Sequence, residues 1–108
     1  MKKQFLYIWL DDIRIVPINI YKYYNKVLWA RNYKEAINLL KKYYQKFNII
    51  IDFDHDLGEE KTGYDVAKYI VENKIILFAF SVHSANPVGI FNITQLLQHY
   101  NYINIWFL

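Results

Sequence analysis

The sequence contains no cysteine, which excludes disulfides and thiolate metal sites. It has no apolar run near the roughly 18 residues that a membrane-spanning helix needs. Its first apolar run, Phe5 to Leu10, is stopped by two aspartates before it reaches the length of a secretion signal. Arginine occurs only twice against eleven lysines, which argues against a reader of duplex DNA. These absences predict a cytoplasmic protein without a membrane segment.

Hydrophobic and aromatic residues, by contrast, are abundant, at 55% and 19% of the chain. A chain of 108 residues with this composition predicts one folded domain, residues 1–108, with a well-packed core. The net charge of +3 is a feature shared with nucleic-acid-binding proteins. However, Ile, Asn, Lys and Tyr together make up 48 of the 108 residues, a bias typical of AT-rich coding sequences. The lysines and tyrosines are therefore weak indicators of nucleic-acid binding.

Short apolar runs alternate with helical periodicity along the chain. Helix starts are indicated at Asn32, Thr62 and Asn86. Asn32 and Thr62 are each followed by an acidic residue three positions later, and Asn86 is followed directly by a proline. Strands are predicted over Phe5–Leu10, Val27–Arg31, Asn48–Phe53, Ile75–Val82 and Ile103–Leu108.

Strands separated by helices predict right-handed βαβ units and a mostly parallel sheet. The predicted fold is α/β: a small, three-layer, flavodoxin-like domain with five strands in the order 2-1-3-4-5. One crossover departs from this scheme. The segment 11–26 contains Pro17 and lacks helical periodicity, so the first crossover helix is predicted to be reduced to a loop, with at most one helical turn.

Polar side chains follow three of the predicted strands, at the point where each strand ends. The first strand is followed by Asp11, Asp12 and Arg14, the third by Asp54, His55 and Asp56, and the fourth by His83, Ser84 and Asn86. In an open parallel sheet, ligands bind beyond the carboxyl ends of the strands, where the strand order reverses. The first and third strands are neighbours there, so Asp11, Asp12 and Asp54 are expected to lie close together.

A cluster of carboxylates needs a counter-charge. Two unit charges about 4 Å apart repel by roughly 4 kcal/mol at an effective dielectric constant near 20. Oxygen ligands suit Mg²⁺, Mn²⁺ or Ca²⁺, and a histidine ligand, His55 or His83, would extend the choice to Fe²⁺ or Zn²⁺. The sequence therefore predicts a divalent metal at this edge, with Mg²⁺ or Mn²⁺ as the leading candidates.

Each of these residues also has a purely structural interpretation. Asp11 or Asp12 could cap a helical turn, and Asp56 could begin an ordinary turn that ends at Gly58. Asp52 lies inside a strand, where a hydrogen bond to a neighbouring loop is its expected role. His83 beside the carboxylate edge is a candidate for acid–base chemistry, although a lone histidine is more often a core residue.

Four motifs resemble one known family. LDDIRIVP (Leu10–Pro17), DHDLG (Asp54–Gly58), TGYDVA (Thr62–Ala67) and HSANPVG (His83–Gly89) occur in the order found in the cyclic-phosphate-processing receiver-like domains. This family is a divergent relative of response-regulator receiver domains. The resemblance spans nearly the whole chain.

The resemblance implies a modified receiver site. Asp11 and Asp12 match the acidic pair that holds Mg²⁺ in receivers, Asp54 matches the phosphoaccepting aspartate, and Ser84 matches the Ser or Thr after the fourth strand. The receiver lysine after the fifth strand has no match in the stretch that ends at Leu108. Phosphorelay signalling is therefore disfavoured.

Three further residues, His55, His83 and Arg14, have no role in an ordinary receiver. Asp52 is an acid where the resembled family more usually has a small residue, and no chemical role is predicted for it. The added histidines and arginine instead favour a receiver metal site adapted to hydrolysis.

The implied function is a metal-dependent phosphoesterase that acts on a cyclic nucleotide or on an RNA end with a 2′,3′-cyclic phosphate. The metal ligands would be Asp11, Asp12 and Asp54, completed by Asp56 or His55. His83 or His55 would be the general acid or base, with a covalent route through Asp54 as an option. The residues predicted to bind the phosphate are Arg14, Lys61, Ser84 and Asn86. The alternative is a non-catalytic module that binds a nucleotide or a metal.

Overall fold

Four parallel strands form the sheet, in the order β2-β1-β3-β4, in a computed structural model that describes residues 2–105. The strands are β1 (Phe5–Leu10), β2 (Val27–Ala30), β3 (Asn48–Phe53) and β4 (Ala79–Val82). The helices are α1 (Ile18–Tyr23), α2 (Tyr33–Tyr43), α3 (Gly63–Glu72) and α4 (Pro87–His99). The predicted α/β class and the order of the first four strands are confirmed.

The prediction of five strands is wrong for the part of the chain that the structure describes. Where the fifth strand was expected, Asn104 makes a single parallel bridge with Phe80, and the backbone N–H of Phe80 donates to the carbonyl of Ile103. The segment thus lies beside β4, on the predicted side, but it pairs at one position only. The last three residues of the predicted strand, 106–108, lie outside the described residues.

The fourth strand is shorter than predicted, beginning at Ala79 instead of Ile75. The backbone N–H of Ile75 donates to the carbonyl of Ile70, at the end of α3, and so is not available to a neighbouring strand. Hydrophobicity alone could not reveal this use of the backbone.

The first crossover holds a short helix, α1, where a loop was predicted. Pro17 precedes it, and the backbone N–H of Ile20 donates to the Pro17 carbonyl at 3.0 Å. None of its six residues is fully buried. Proline, with its fixed φ, is suited to a helix start, and this explains a helix that the weak apolar periodicity did not reveal.

The predicted helix starts are confirmed at all three caps. The Asn32 side chain accepts from the backbone N–H of Glu35 at 2.9 Å, and the Asn86 side chain accepts from that of Gly89 at 3.0 Å. At α3 the Asp65 carboxylate accepts from the backbone N–H of Thr62 at 2.8 Å. Each cap satisfies backbone groups that the first helical turn leaves without partners.

The two faces of the sheet are covered unequally. Leu6, Ile8 and Leu10 of β1 face the large core formed with α2, α3 and α4. The alternate residues, Tyr7 and Trp9, belong to a smaller cluster on the side of α1. Because side chains alternate along a strand, the odd-numbered residues of β1 share this thinly covered face. We refer to it below as the α1 face.

Candidate functional site

Asp11, Asp54 and His83 each lie one residue beyond the end of a strand. Leu10 of β1 is paired with Phe53 of β3 in the last row of this strand pair. The ladder continues for one more residue, since the N–H of Asp54 donates to the Leu10 carbonyl and the N–H of His83 donates to the Phe53 carbonyl, both at 2.8 Å. The three side chains are thereby held side by side at the carboxyl edge of the sheet.

These three residues form a group that could hold a metal ion. Their potential ligand atoms all lie within 4.8 Å of one another. Asp11 and Asp54 are buried, with 1% and 7% of their surface exposed. The expectation that carboxylates from the first and third strands would meet is therefore met by Asp11 and Asp54, and His83 joins them from β4.

Asp54 is held in an environment that disfavours its charge. Burial, followed by the negative charge of Asp11, raises the pKa of the Asp54 carboxyl above its usual value. The Ser84 hydroxyl and the positive charges of His83 and Arg14 oppose part of this shift. A buried carboxylate beside another negative charge calls for a compensating positive charge, because ionised groups are costly to desolvate.

The two oxygens of Asp11 have different partners. Oδ1 accepts from the backbone N–H groups of Ile13 at 2.9 Å and Arg14 at 2.7 Å, which is the turn-capping role considered from the sequence. Oδ2 lies 2.9 Å from Nε2 of His83. Burial disfavours the charged carboxylate, but these hydrogen bonds outweigh burial and lower its pKa. Asp11 is thus ionised, with one oxygen directed into the cluster.

The donor set of the cluster fits a divalent cation. Two carboxylates and an imidazole are ligands that Mn²⁺, Fe²⁺ and Zn²⁺ share, and the carboxylates alone suit Mg²⁺. A cation between Asp11 and Asp54 would also remove the repulsion that raises the pKa of Asp54. The residues present therefore fit the group that the sequence predicts.

Two residues of the α1 face, Asp52 and Trp9, hold His83, and no role in the site was predicted for either of them from the sequence. Oδ1 of Asp52 lies 2.6 Å from Nδ1 of His83, and the Asp52 Oδ2 accepts from the hydroxyl of Tyr7. The ring of Trp9 stacks on the imidazole, with 3.6 Å between ring centroids and 6° between planes. The hydrogen bond to a neighbouring loop that was expected of Asp52 is present, since His83 lies just after β4, and Tyr7 of β1 is a further partner.

The alternation of side chains between the two faces of a strand is the signal that could have revealed Asp52 and Trp9 from the sequence. Trp9, Asp52 and Ser81 form one row across three strands. Two positions further along each strand, on the same face, come the three residues of the cluster. Asp52 therefore lies on the same face of the sheet as the cluster, one row before it along the strands.

Arg14 lies on the loop after β1 and reaches the same edge. The indole N–H of Trp9 donates to the Arg14 carbonyl at 2.9 Å, and that of Trp29 donates to the Asp11 carbonyl at 2.7 Å. The guanidinium of Arg14 donates to the His83 carbonyl at 3.4 Å. Two tryptophans thus fix a loop that places a positive charge beside the carboxylates.

A second histidine–aspartate pair follows β3. Nδ1 of His55 lies 2.9 Å from Oδ1 of the exposed Asp56, and the Asn86 side chain donates to Oδ2 of Asp56 at 3.4 Å. The His55 ring packs so closely on α4 that a Cβ at Gly89 would lie 2.4 Å from its Cγ. The hydrogen bond from His55 is the main cause that lowers the pKa of Asp56.

Ser84 and Asn86 connect this pair to the metal cluster. The backbone N–H of Asn86 donates to the Ser84 hydroxyl oxygen at 3.1 Å, and the same hydroxyl acts on the pKa of Asp54. Asn86 is also the cap of α4, so its position is fixed by the helix. Both predicted phosphate-binding residues lie at the edge that carries the cluster.

Three other predicted site residues lie outside the cluster of ligand atoms found in residues 2–105. Oδ2 of Asp12 would lie 2.8 Å from a Cβ at Gly58, a residue with a φ of +67°. Asp56 pairs with His55, as described above. The ammonium of Lys61 lies 5.2 Å from the centre of the Tyr33 ring, at the start of α2. The roles given to Asp12, Asp56 and Lys61 remain predictions.

The pH dependence of folding in EDTA is expected to reveal the charge on His83. Burial disfavours the charged imidazole, but the hydrogen bonds and charges of Asp52 and Asp11 outweigh burial and raise its pKa above 6.5. This stabilisation is fully present below the unfolded pKa and is lost as the pH rises through the folded pKa. The free energy of unfolding should therefore fall by up to about 1.4 kcal/mol per pH unit over that window.

Urea unfolding at a series of pH values checks this expectation. His83→Gln should flatten the profile above pH 6.5, whereas the matched variant of the exposed His99, His99→Gln, should leave it unchanged. A wild-type profile that is already flat in this window would contradict the assigned charge.

Residues 6–99 match the family model described as the cyclic-phosphate processing receiver domain, and the chain belongs to this family. The resemblance noted from the four motifs is thereby confirmed. No curated protein shows significant similarity to the chain. Within the described residues, none of the helices has the length and apolar character needed to cross a bilayer.

Proposed function

We propose that this member of the cyclic-phosphate processing receiver family is a metal-dependent phosphoesterase that hydrolyses a cyclic phosphate. The observation that carries the proposal is the convergence of Asp11, Asp54 and His83 at the carboxyl edge of the sheet. A receiver that only accepts a phosphoryl group has no use for the histidine. A metal-dependent phosphoesterase combines a cation with a group that transfers protons and a positive surface for phosphate.

Asp11 and Asp54 hold the divalent cation in this proposal, with Mn²⁺ or Mg²⁺ as the leading candidates. Asp12 and Asp56 are proposed as further ligands, directly or through water, since both belong to the loops that border the cluster. When bound, such a cation polarises a phosphoryl oxygen and lowers the pKa of bound water. The burial of both main carboxylates keeps competing water away from their charges.

Positive and polar groups around the cluster bind the phosphate. Arg14 is the strongest candidate because its guanidinium is already held at the edge by the His83 carbonyl. Ser84 and the Asn86 cap lie at the start of α4, where helix backbone groups favour an anion. Lys61 is proposed to contribute at longer range.

A histidine moves the proton during hydrolysis. His83 and His55 each have Nδ1 bound to an aspartate, which is the arrangement that fixes a histidine tautomer. Proton transfer to the leaving oxygen, or from the attacking water, would then use the other ring nitrogen, Nε2. Attack by the Asp54 carboxylate itself is the covalent variant of the same chemistry.

Product analysis after incubation with metal tests the proposal. The purified chain is mixed with Mn²⁺ or Mg²⁺ and a panel of 3′,5′-cyclic nucleotides, 2′,3′-cyclic nucleotides and RNA ending in a 2′,3′-cyclic phosphate. We expect one class to be converted into its linear phosphate, and EDTA to abolish the conversion. Tight binding with every ligand recovered intact would contradict hydrolysis and support a non-catalytic nucleotide-binding module. Labelling of Asp54 by acetyl phosphate would instead support a phosphoreceiver.

A further inference from the structure

Asp52 is a buried acid in the middle of a strand, and both of its oxygens are engaged. Only 5% of its surface is exposed. Oδ1 pairs with Nδ1 of His83 at 2.6 Å, and Oδ2 accepts from the Tyr7 hydroxyl. An apolar side chain at this position would build the same strand without the cost of burying a carboxylate. The cost of burying this carboxylate is explained if Asp52 fixes the orientation of His83.

The contact with Asp52 determines which ring nitrogen of His83 faces the site. Oδ2 of Asp52 already accepts from the Tyr7 hydroxyl, and Oδ1 is the acceptor that faces the imidazole, so Nδ1 of His83 carries the proton between them. Trp9, stacked on the ring at 3.6 Å, prevents the imidazole from tilting out of this plane. Nε2 is then directed at Oδ2 of Asp11, 2.9 Å away.

Tyr7 supports Asp52 from the side opposite to His83. It lies across from Ile50, two residues before Asp52 on the same face of the sheet, so its hydroxyl can reach the carboxylate. Burial and the charge of Asp52 raise the pKa of the Tyr7 hydroxyl, which therefore remains a neutral donor. Asp52 thus has one donor on each oxygen and cannot rotate without losing one of them.

We propose that Asp52, supported by Tyr7, is a positioning residue that holds His83 with Nε2 toward Asp11 and Asp54, so that His83 is a ligand of the cation. A carboxylate behind a ligating histidine is a common second layer of metal sites, where it selects the tautomer and makes the imidazole a better ligand. The inference rests on the metal-binding part of the proposed function. It also assigns the proton transfer to His55, since Nε2 of His83 is occupied.

Metal affinity and the histidine tautomer together test this assignment. Asp52→Asn keeps the shape of the side chain and one acceptor oxygen, but it can present an N–H to His83 instead. We expect its Mn²⁺ affinity, measured by electron paramagnetic resonance, to fall by about 10–100-fold. In the Zn²⁺-loaded wild-type protein, ¹⁵N NMR should show the His83 proton on Nδ1. In Asp52→Asn this preference should be lost.

Matched variants separate positioning from stability. Asp65→Asn also removes a hydrogen-bonded carboxylate, the capping-box partner of Thr62 at the start of α3, and should leave Mn²⁺ affinity unchanged. Tyr7→Phe removes the support of Asp52 and should lower the affinity by a smaller factor than Asp52→Asn. Its counterpart Tyr102→Phe loses a half-buried tyrosine hydrogen bond to the Ile75 carbonyl, away from the site, and should have no effect. If Asp52→Asn does not fold, the two tyrosine variants decide the question.

The outcomes for this inference and for the proposed function are distinct. Mn²⁺ affinity within about twofold of wild type in both Asp52→Asn and Tyr7→Phe would overturn the positioning role, whatever the turnover. Failure of the wild-type chain to bind Mn²⁺ or Zn²⁺ would overturn the assignment of His83 as a ligand. Normal metal binding that depends on Asp52, without hydrolysis of any cyclic phosphate, would instead overturn the proposed activity alone.

Discussion

Asp54→Asn is expected to lower Mn²⁺ affinity by more than about 100-fold, beyond the 10–100-fold effect typical of residues that only orient a ligand. Turnover of the cyclic phosphate should be lost with it. The reason is that Asp54 supplies one of the two carboxylates of the cluster, and an amide oxygen lacks the charge that balances a divalent cation. Metal titration and product analysis of the same preparation provide both measurements.

The same variant should not lose stability when metal is absent. The raised pKa of Asp54 means that the folded chain binds the proton more tightly than the unfolded chain does, so ionisation at neutral pH destabilises the fold. A neutral amide removes that penalty, and the free energy of unfolding in EDTA should be equal to or higher than that of the wild type.

Asp65→Asn provides the opposite pattern as a control. It should lower stability by about 1 kcal/mol through the loss of a cap and leave metal binding intact. Retention of wild-type Mn²⁺ affinity by Asp54→Asn would exclude this carboxylate as a ligand. A large loss of stability would show that Asp54 serves the fold.

His55→Gln is expected to lower kcat by roughly 10²–10⁴-fold, the usual contribution of a general acid or base. Mn²⁺ affinity should fall far less than kcat, because His55 is not among the clustered ligands and only its partner Asp56 is a proposed further ligand. Within residues 2–105, Nδ1 of His55 has a partner in Asp56, which leaves Nε2 for proton transfer. Glutamine keeps a polar side chain of similar length against Gly89.

Steady-state kinetics with a fixed excess of Mn²⁺ check this expectation, with His99→Gln as the control on an exposed histidine. If His55→Gln retains full kcat while His83→Gln binds Mn²⁺ normally and loses kcat, the two histidines have the reverse roles. That result would also contradict the positioning of His83 as a ligand.

Several features of the molecule could be predicted from the sequence because they depend on neighbours along the chain. The caps at Asn32, Thr62 and Asn86 are local hydrogen bonds, and the structure has each of them. The order of the first four strands follows from the alternation of strands with helices and from the handedness of crossovers. The meeting of Asp11 and Asp54 follows in turn, because both residues come at the end of neighbouring parallel strands.

Other features depended on backbone and side-chain contacts that a periodic hydrophobic pattern does not express. The backbone N–H of Ile75 is used by α3, so β4 begins later than its hydrophobicity indicates. In the first crossover, α1 forms after Pro17 without a buried apolar stripe. In the same way, the pairing of Asp56 with His55 depends on side-chain directions after the strand has ended.

The sequence by itself determined the fold family, the edge of the sheet where polar groups gather, and the presence there of two carboxylates and a histidine. Only the tertiary structure decided how that histidine is held. Asp52 and His83 are 31 positions apart, and Tyr7 lies 45 positions before Asp52. Their contact arises because three parallel strands place alternate residues on one face, in a register set by the backbone hydrogen bonds between strands. Asp52 has no partner within its own strand, but in the folded sheet it is the partner of His83, the histidine of the cluster.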